Sequence, residues 1–141
     1  MTWRQTSIAD RDSAHAPINP AWIRSGSPTA RARSLFATVD GDFSATIWEC
    51  TEGEFDWQYR SDEIIHILEG ETFVDGRRLT VGDVAIFARG TSAHWRITMP
   101  IRKLALHRSV TPPTWRRVAS RVKATARSAI ETARALADRR G

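Results

Sequence analysis

Glu63 opens the apolar run Ile64, Ile65, Ile67, Leu68, which Gly70 closes, and just ahead of it Phe55, Trp57 and Tyr59 alternate with Asp56, Gln58 and Arg60. A period of two puts the three rings on one side of a strand. A carboxylate beside an aromatic wall can hold a small ligand or move a proton. In the later stretch IRKLALHR, Ile101, Lys103, Ala105 and His107 share one face, and Arg102, Leu104, Leu106 and Arg108 the other. If the first set points inward, Lys103 and His107 join Glu63 and Tyr59 around one cavity, bringing an acid, a base and a cation within reach of each other. Glu63 and Tyr59 are then acid–base candidates and Lys103 orients an anionic group, with Trp57, His107 and His94 as substrate contacts. Plainer roles are open to the same residues. The ring stripe can be core, Glu63 can cap a turn or pair with an arginine, and Lys103 can form a structural ion pair.

The elements that must position these groups are short strands. Strand signals begin at Leu35, and SLFATV is followed by the turn Asp40-Gly41-Asp42 and by FSATIWEC, partly apolar on both faces. Glu52-Gly53-Glu54 turns into the aromatic strand. Beyond Gly70, ETFV meets Asp75-Gly76, a two-residue hairpin signal, and RRLTV returns. Gly82-Asp83 leads into VAIFA, and Arg89-Gly90-Thr91-Ser92 leads into HWRITM, which Pro100 separates from IRKLALHR. In HWRITM, Trp95, Ile97 and Met99 read as core, leaving His94, Arg96 and Thr98 for rim or solvent. Strands punctuated by glycine turns at this spacing predict an all-β antiparallel sandwich or barrel, and nothing between Leu35 and Arg108 reads as a long helix.

Around this core of residues 21–111, residues 1–20 are polar, with Pro17 and Pro20, and read as a flexible N-terminal arm on which Trp22 and Ile23 follow as anchors. Residues 112–141 read as an amphipathic α-helix behind Pro112-Pro113, capped by Thr114 and striped with Trp115, Val118, Val122 and alanines. The charge divides accordingly. Residues 1–112 carry 13 Lys+Arg against 14 Asp+Glu, and 113–141 carry 8 against 2, so the net +5 belongs to the tail. The core needs no polyanionic partner and no specific nucleic acid is expected. Weak contact with an anionic surface is confined to the basic residues of 116–127. No apolar leader and no transmembrane segment is evident, so a cytoplasmic protein is expected. The single Cys50 excludes an intrachain disulfide and a thiolate zinc site, and its place at the end of ATIWEC implies burial.

The ordered set Trp22, Trp48-Glu49, Gly53, Asp62-Glu63, Ile67-Leu68-Glu69-Gly70, Gly82-Asp83, Gly90, Trp95 and Arg102-Lys103 resembles the small single-domain cupins, in particular those of the ethanolamine-utilisation and ureidoglycine aminohydrolase type. The resemblance implies a double-stranded β-helix, the cupin jelly-roll barrel. It implies a small polar metabolite as ligand, with a nitrogen-rich or carboxylated substrate conceivable. It also implies a homodimer, since such barrels pair through an edge or an outer sheet face. The metal-binding cupin pattern keeps its frame here and loses its ligands. Glu63 and Gly70 have six residues between them, but the two histidine positions before Glu63 hold Trp57 and Tyr59, and the third, after Gly82 and Gly90, holds Ala93. One glutamate does not hold a divalent Mn, Fe, Ni or Zn ion. No cofactor is therefore expected unless ligands come from elsewhere. His94 could serve through a bulge after Gly90, His107 is in phase with the site, and His66 is out of phase with Glu63.

Overall fold

The computed structural model describes residues 3–109. The tail helix expected at 112–141, with its anionic-surface residues, lies outside the described residues. Nine strands follow in order: β1 (Ala14–His15), β2 (Ile23–Ser25), β3 (Ala30–Ala37), β4 (Phe43–Cys50), β5 (Gly53–Gln58), β6 (Asp62–Val74), β7 (Arg77–Thr80), β8 (Val84–Phe87) and β9 (Ser92–Arg108). The only helical turn among the described residues is Pro20–Trp22, capped by the Asn19 side chain.

All nine belong to one curled antiparallel sheet. One path runs β1-β3-β4-β9-β5-β2, while β6 pairs with β7, β8 and β9. Strand β9 is central, because its first half pairs with β5, its second half with β4, and nearly its whole length with β6. Pro100 was expected to divide this stretch, yet β9 runs through it. Proline needs a place where no ladder donor is required, and it finds one where β9 passes from β5 to β4 and the register against β6 slips between Ile67 and Thr72. The slip turns Met99 outward to 56% exposure, where simple alternation had made it core. Gly70 sits at this crossing with φ +85°. A Cβ there would lie 2.0 Å from the Pro100 carbonyl oxygen.

The buried core is formed by Phe55, Tyr59, Ile65, Ile67, Trp95 and Ile97 with smaller neighbours, and Trp22, Trp48, Trp57 and Phe87 pack against it. The Asp75-Gly76 hairpin forms as expected, both residues having positive φ. Two expectations need correction. Strand β3 begins at Ala30, five residues before Leu35, because Arg31 and Arg33 interrupt its apolar pattern while binding the arm: Arg31 donates to the carbonyl of Ser13, and Arg33 to the carbonyl of Ser7. The arm itself is laid on the barrel and is not free. β1 pairs with β3, Ile18 is buried, and Arg102 donates to the carbonyls of Ile8 and Asp10 while holding Glu49 at 3.0 Å. Backbone carbonyls offered to guanidinium groups leave no trace in hydropathy, so the arm reads as polar chain.

Candidate functional site

Antiparallel pairing sets Glu63 of β6 opposite His107 of β9, while Trp48 of β4 faces Lys103 of β9 and Phe55 of β5 faces Trp95. The inward faces of four strands thus meet around one cavity of about 50 Å³, lined by Thr46, Trp48, Trp57, Glu63, Lys103 and His107, with Phe55, Trp95 and Ala105 closing it. That volume holds a few water molecules or a ligand of a few heavy atoms.

Glu63 and Lys103 are 4% and 6% exposed, and the Lys103 ammonium donates to Glu63 Oε1 at 2.8 Å. The same ammonium lies 4.8 Å from the centroid of the Trp48 ring and 4.9 Å from that of Trp95. An ammonium has three donors, and here one meets a carboxylate oxygen while two indole faces receive the remaining charge. His107 Nδ1 stands 3.7 Å from Glu63 Oε2, too long for a direct hydrogen bond. Burial pushes the His107 pKa below its usual value; the Glu63 charge opposes this and Lys103 reinforces it. His107 is therefore neutral at pH 7, with one ring nitrogen donating and one accepting.

Tyr59 falls outside this cavity lining. Its ring stacks on Phe87 at 4.5 Å, and its hydroxyl accepts from Trp95 Nε1 at 3.0 Å. Burial, then the nearby Glu63 charge, pushes its pKa up. As a proton donor to a ligand at Glu63 it is badly placed, because its hydroxyl lies within the aromatic packing. Trp57 does line the cavity, edge-on to Trp22 at 5.2 Å and to Trp48 at 5.7 Å. His94 is away from it. With Trp95 inward, alternation turns His94 outward, where Nδ1 lies 2.7 Å from Asp56 Oδ1 and Nε2 3.4 Å from Glu54 Oε2. No bulge follows Gly90 to reverse this, since β5 and β9 pair without a slip from Gly53↔Ile97 to Gln58↔Ser92. His66 is exposed. Cys50 is buried, and burial raises its thiol pKa to about 12, so it is unreactive.

Sequence reasoning missed what Trp48 and Trp95 do. Both read as core or as parts of a motif, yet they flank the ammonium of Lys103. The signal was present in the period-two pairing of Thr46 with Trp48, but it needed the knowledge that β4 neighbours β9.

A second concavity, of about 530 Å³, is apolar and lies against the other side of the sheet; Phe36, Phe43, Ala45, Ile64, Ile86 and Leu106 line it. His107 touches both concavities, whereas Glu63, Lys103 and Trp57 belong to the smaller one alone.

The curled antiparallel sheet with this inward-facing site is an all-β cupin. A family model described as the EutQ-like cupin domain matches residues 38–105. The chain is a small cupin resembling the EutQ type. Among solved structures, it is similar to a putative ethanolamine utilization protein Q from Salmonella typhimurium, at 25% identity over 59% of this chain and 72% of that one, with a TM-score of 0.51. The ectoine synthase from P. lautus aligns at 22% identity over 57% of this chain and 64% of that one, with a TM-score of 0.51. The polyketide cyclase RemF from Streptomyces resistomycificus aligns at 18% identity over 79% and 83%, with a TM-score of 0.56. These last two show a shared fold alone. No curated protein matches the chain.

A metal of the kind many cupins hold does not fit these residues. Trp57, Tyr59 and Ala93 occupy the ligand positions, and no group of three or more His, Cys, Asp and Glu side chains suited to a metal occurs among the described residues. The place beside Glu63 is taken by a cation the chain itself supplies, the Lys103 ammonium.

Proposed function

We propose that this cupin binds a small polar molecule in its barrel, with the Glu63–Lys103 pair as the polar centre, and that it does not run acid–base turnover there. The observation that carries this reading is the buried 2.8 Å ion pair under two indoles. Removing two charges from water is costly, and an apolar pair of similar volume is often as stable or more so. A barrel kept only for its shape would do as well with methionine and leucine, so a buried pair beside a cavity supports a role in recognition. Turnover is disfavoured because Glu63 Oε1 is held by Lys103, the Tyr59 hydroxyl is sealed, and about 50 Å³ leaves little room for substrate together with a reacting water.

The test is a ligand-detected NMR screen of small polar metabolites against the wild type and the Glu63→Gln/Lys103→Met double variant, with melting followed in parallel. Ligands that bind the wild type and are lost from a folded double variant are expected. Identical binding profiles would remove the pair from the function.

A separate observation favours pairing of two copies. Ile64, Ile86 and Leu106 are exposed around the larger groove, and Asp62 and Arg108 stand directly opposite each other in the β6–β9 register. About a two-fold axis, an apolar face bordered by one acid and one base is self-complementary, each Asp62 meeting the other copy's Arg108. A homodimer is the resulting proposal, and light scattering of the wild type against Ile86→Glu tests it. Equal masses would refute that face as the interface.

A further inference from the structure

Taking the binding reading as its starting point, we infer that the ligand of the Glu63 cavity is an uncharged, compact hydrogen-bond donor, such as a short alcohol or primary amide, and not a carboxylate, a phosphate or an amine. Charge and geometry decide this together. Lys103 was expected to orient an anionic group. Its ammonium instead gives one donor to Glu63 Oε1 at 2.8 Å and turns its remaining charge toward Trp48 and Trp95 at 4.8 and 4.9 Å. Its charge is thus already matched by Glu63 and the two indoles, and it offers an incoming anion no uncompensated positive charge. An anion entering the cavity would meet the Glu63 carboxylate with no unmatched cation to offset it, and a cation would meet Lys103 in the same way. Either would also give up its hydration to a space walled by indole and phenyl rings.

The groups that remain open are different in kind. Glu63 Oε2 lies 3.7 Å from His107 Nδ1 and makes no hydrogen bond among the described residues. A carboxylate oxygen accepts only, so the ligand must donate. The neutral imidazole beside it can either donate or accept. A hydroxyl or an amide N–H against Oε2, with its own oxygen or nitrogen toward His107, satisfies both. The cavity of about 50 Å³ limits the rest of the molecule to a few heavy atoms, which face Trp57, Ala105 and Thr46. Because binding free energy per atom is bounded, so small a ligand binds no tighter than about tens of micromolar, and millimolar values are to be expected.

The experiment uses the full chain at pH 7. Ethylene glycol, acetamide, sodium acetate, sodium phosphate and methylammonium chloride are titrated to about 50 mM at constant ionic strength, a range set by the weak binding expected of so few atoms. The indole N–H resonances of Trp48, Trp57 and Trp95 report the location of binding. Acetamide or ethylene glycol should shift them saturably, and the three ions should bind at least about tenfold more weakly, the order of one lost charge-pair interaction. Ala105→Val, which adds two methyl groups to the cavity wall and leaves the ion pair in place, should abolish the shift. If that variant fails to fold, the wild-type indole shifts still locate the ligand. Saturable binding of acetate, phosphate or methylammonium at these indoles, equal to or tighter than the neutral probes, overturns the ligand class while leaving the binding cavity standing. Neutral probes that bind a folded Ala105→Val equally well bind elsewhere and overturn the inference. No saturable shift from any probe overturns both the inference and the binding reading on which it rests.

Discussion

The Glu63–Lys103 pair makes a prediction whose size follows from geometry. At 2.8 Å and an effective dielectric of about 20, the Coulomb attraction is on the order of 6 kcal/mol, and desolvation of two ions opposes it. The net value of the pair is therefore small, but breaking it is not. Lys103→Met leaves a carboxylate 4% exposed without its cation and also removes the contacts to Trp48 and Trp95. A loss of about 3–5 kcal/mol is expected. Glu63→Gln leaves a buried ammonium facing a neutral amide and should lose about 2–4 kcal/mol, since the amide oxygen still accepts one hydrogen bond. The double variant should recover most of this, to within roughly 1–2 kcal/mol of wild type, because no uncompensated charge remains. Urea unfolding of all four proteins, followed by tryptophan fluorescence, measures the cycle. Single variants that each cost under about 1 kcal/mol, with additive losses in the double, would mean that water screens the pair, and the buried-site argument would fall.

Three further outcomes are expected. The His107 pKa lies below its ordinary value of 6.5 in the folded chain, mainly through burial, so the unfolded chain binds more protons in the window between the two values. Stability should therefore rise with pH through that window and be lost as pH falls below about 6.5. Denaturant titrations at pH 5 and pH 7 should show the rise in wild type and a flatter profile in His107→Gln. Gly70→Ala places a Cβ 2.0 Å from the Pro100 carbonyl oxygen at φ +85°, where backbone meets backbone and cannot yield cheaply. Loss of cooperative unfolding is expected, and a melting curve like that of wild type would show that the β6–β9 crossing is looser than described. Protein purified without chelator should contain less than one equivalent of Mn, Fe, Ni and Zn by elemental analysis, because Lys103 holds the oxygen a metal would need; a full equivalent would mean that other residues complete a site.

Much of the fold was legible in the order of turns. The turns marked by Gly41, Gly76, Gly82 and Gly90 fell between strands, whereas Gly53 opens β5 and Gly70 lies within β6, and the Asp75-Gly76 hairpin formed where its residue types require it. Alternation alone put Lys103, Ala105 and His107 on one face and Trp95 opposite in phase to His94, and the structure keeps those phases. Where alternation failed, the cause was local. Met99 was read as inward because period-two counting cannot see a register slip, and β3 was begun too late because its arginines serve the arm.

By itself, then, the chain's text determined most of the strand content and the phase of the strands away from the β6–β9 slip, because both depend on neighbouring residues a few positions apart. It also determined the loss of the usual cupin ligands, since that is a matter of residue identity at set spacings. Only the tertiary structure decided that Glu63 closes on Lys103, that two tryptophans from β4 and β9 receive the ammonium, and that Tyr59 and His94 stand away from the cavity. Apart from Lys103 on Trp95, those contacts join residues tens of positions apart. Their existence depends on which strands become neighbours and how far each side chain reaches across the curl of the sheet.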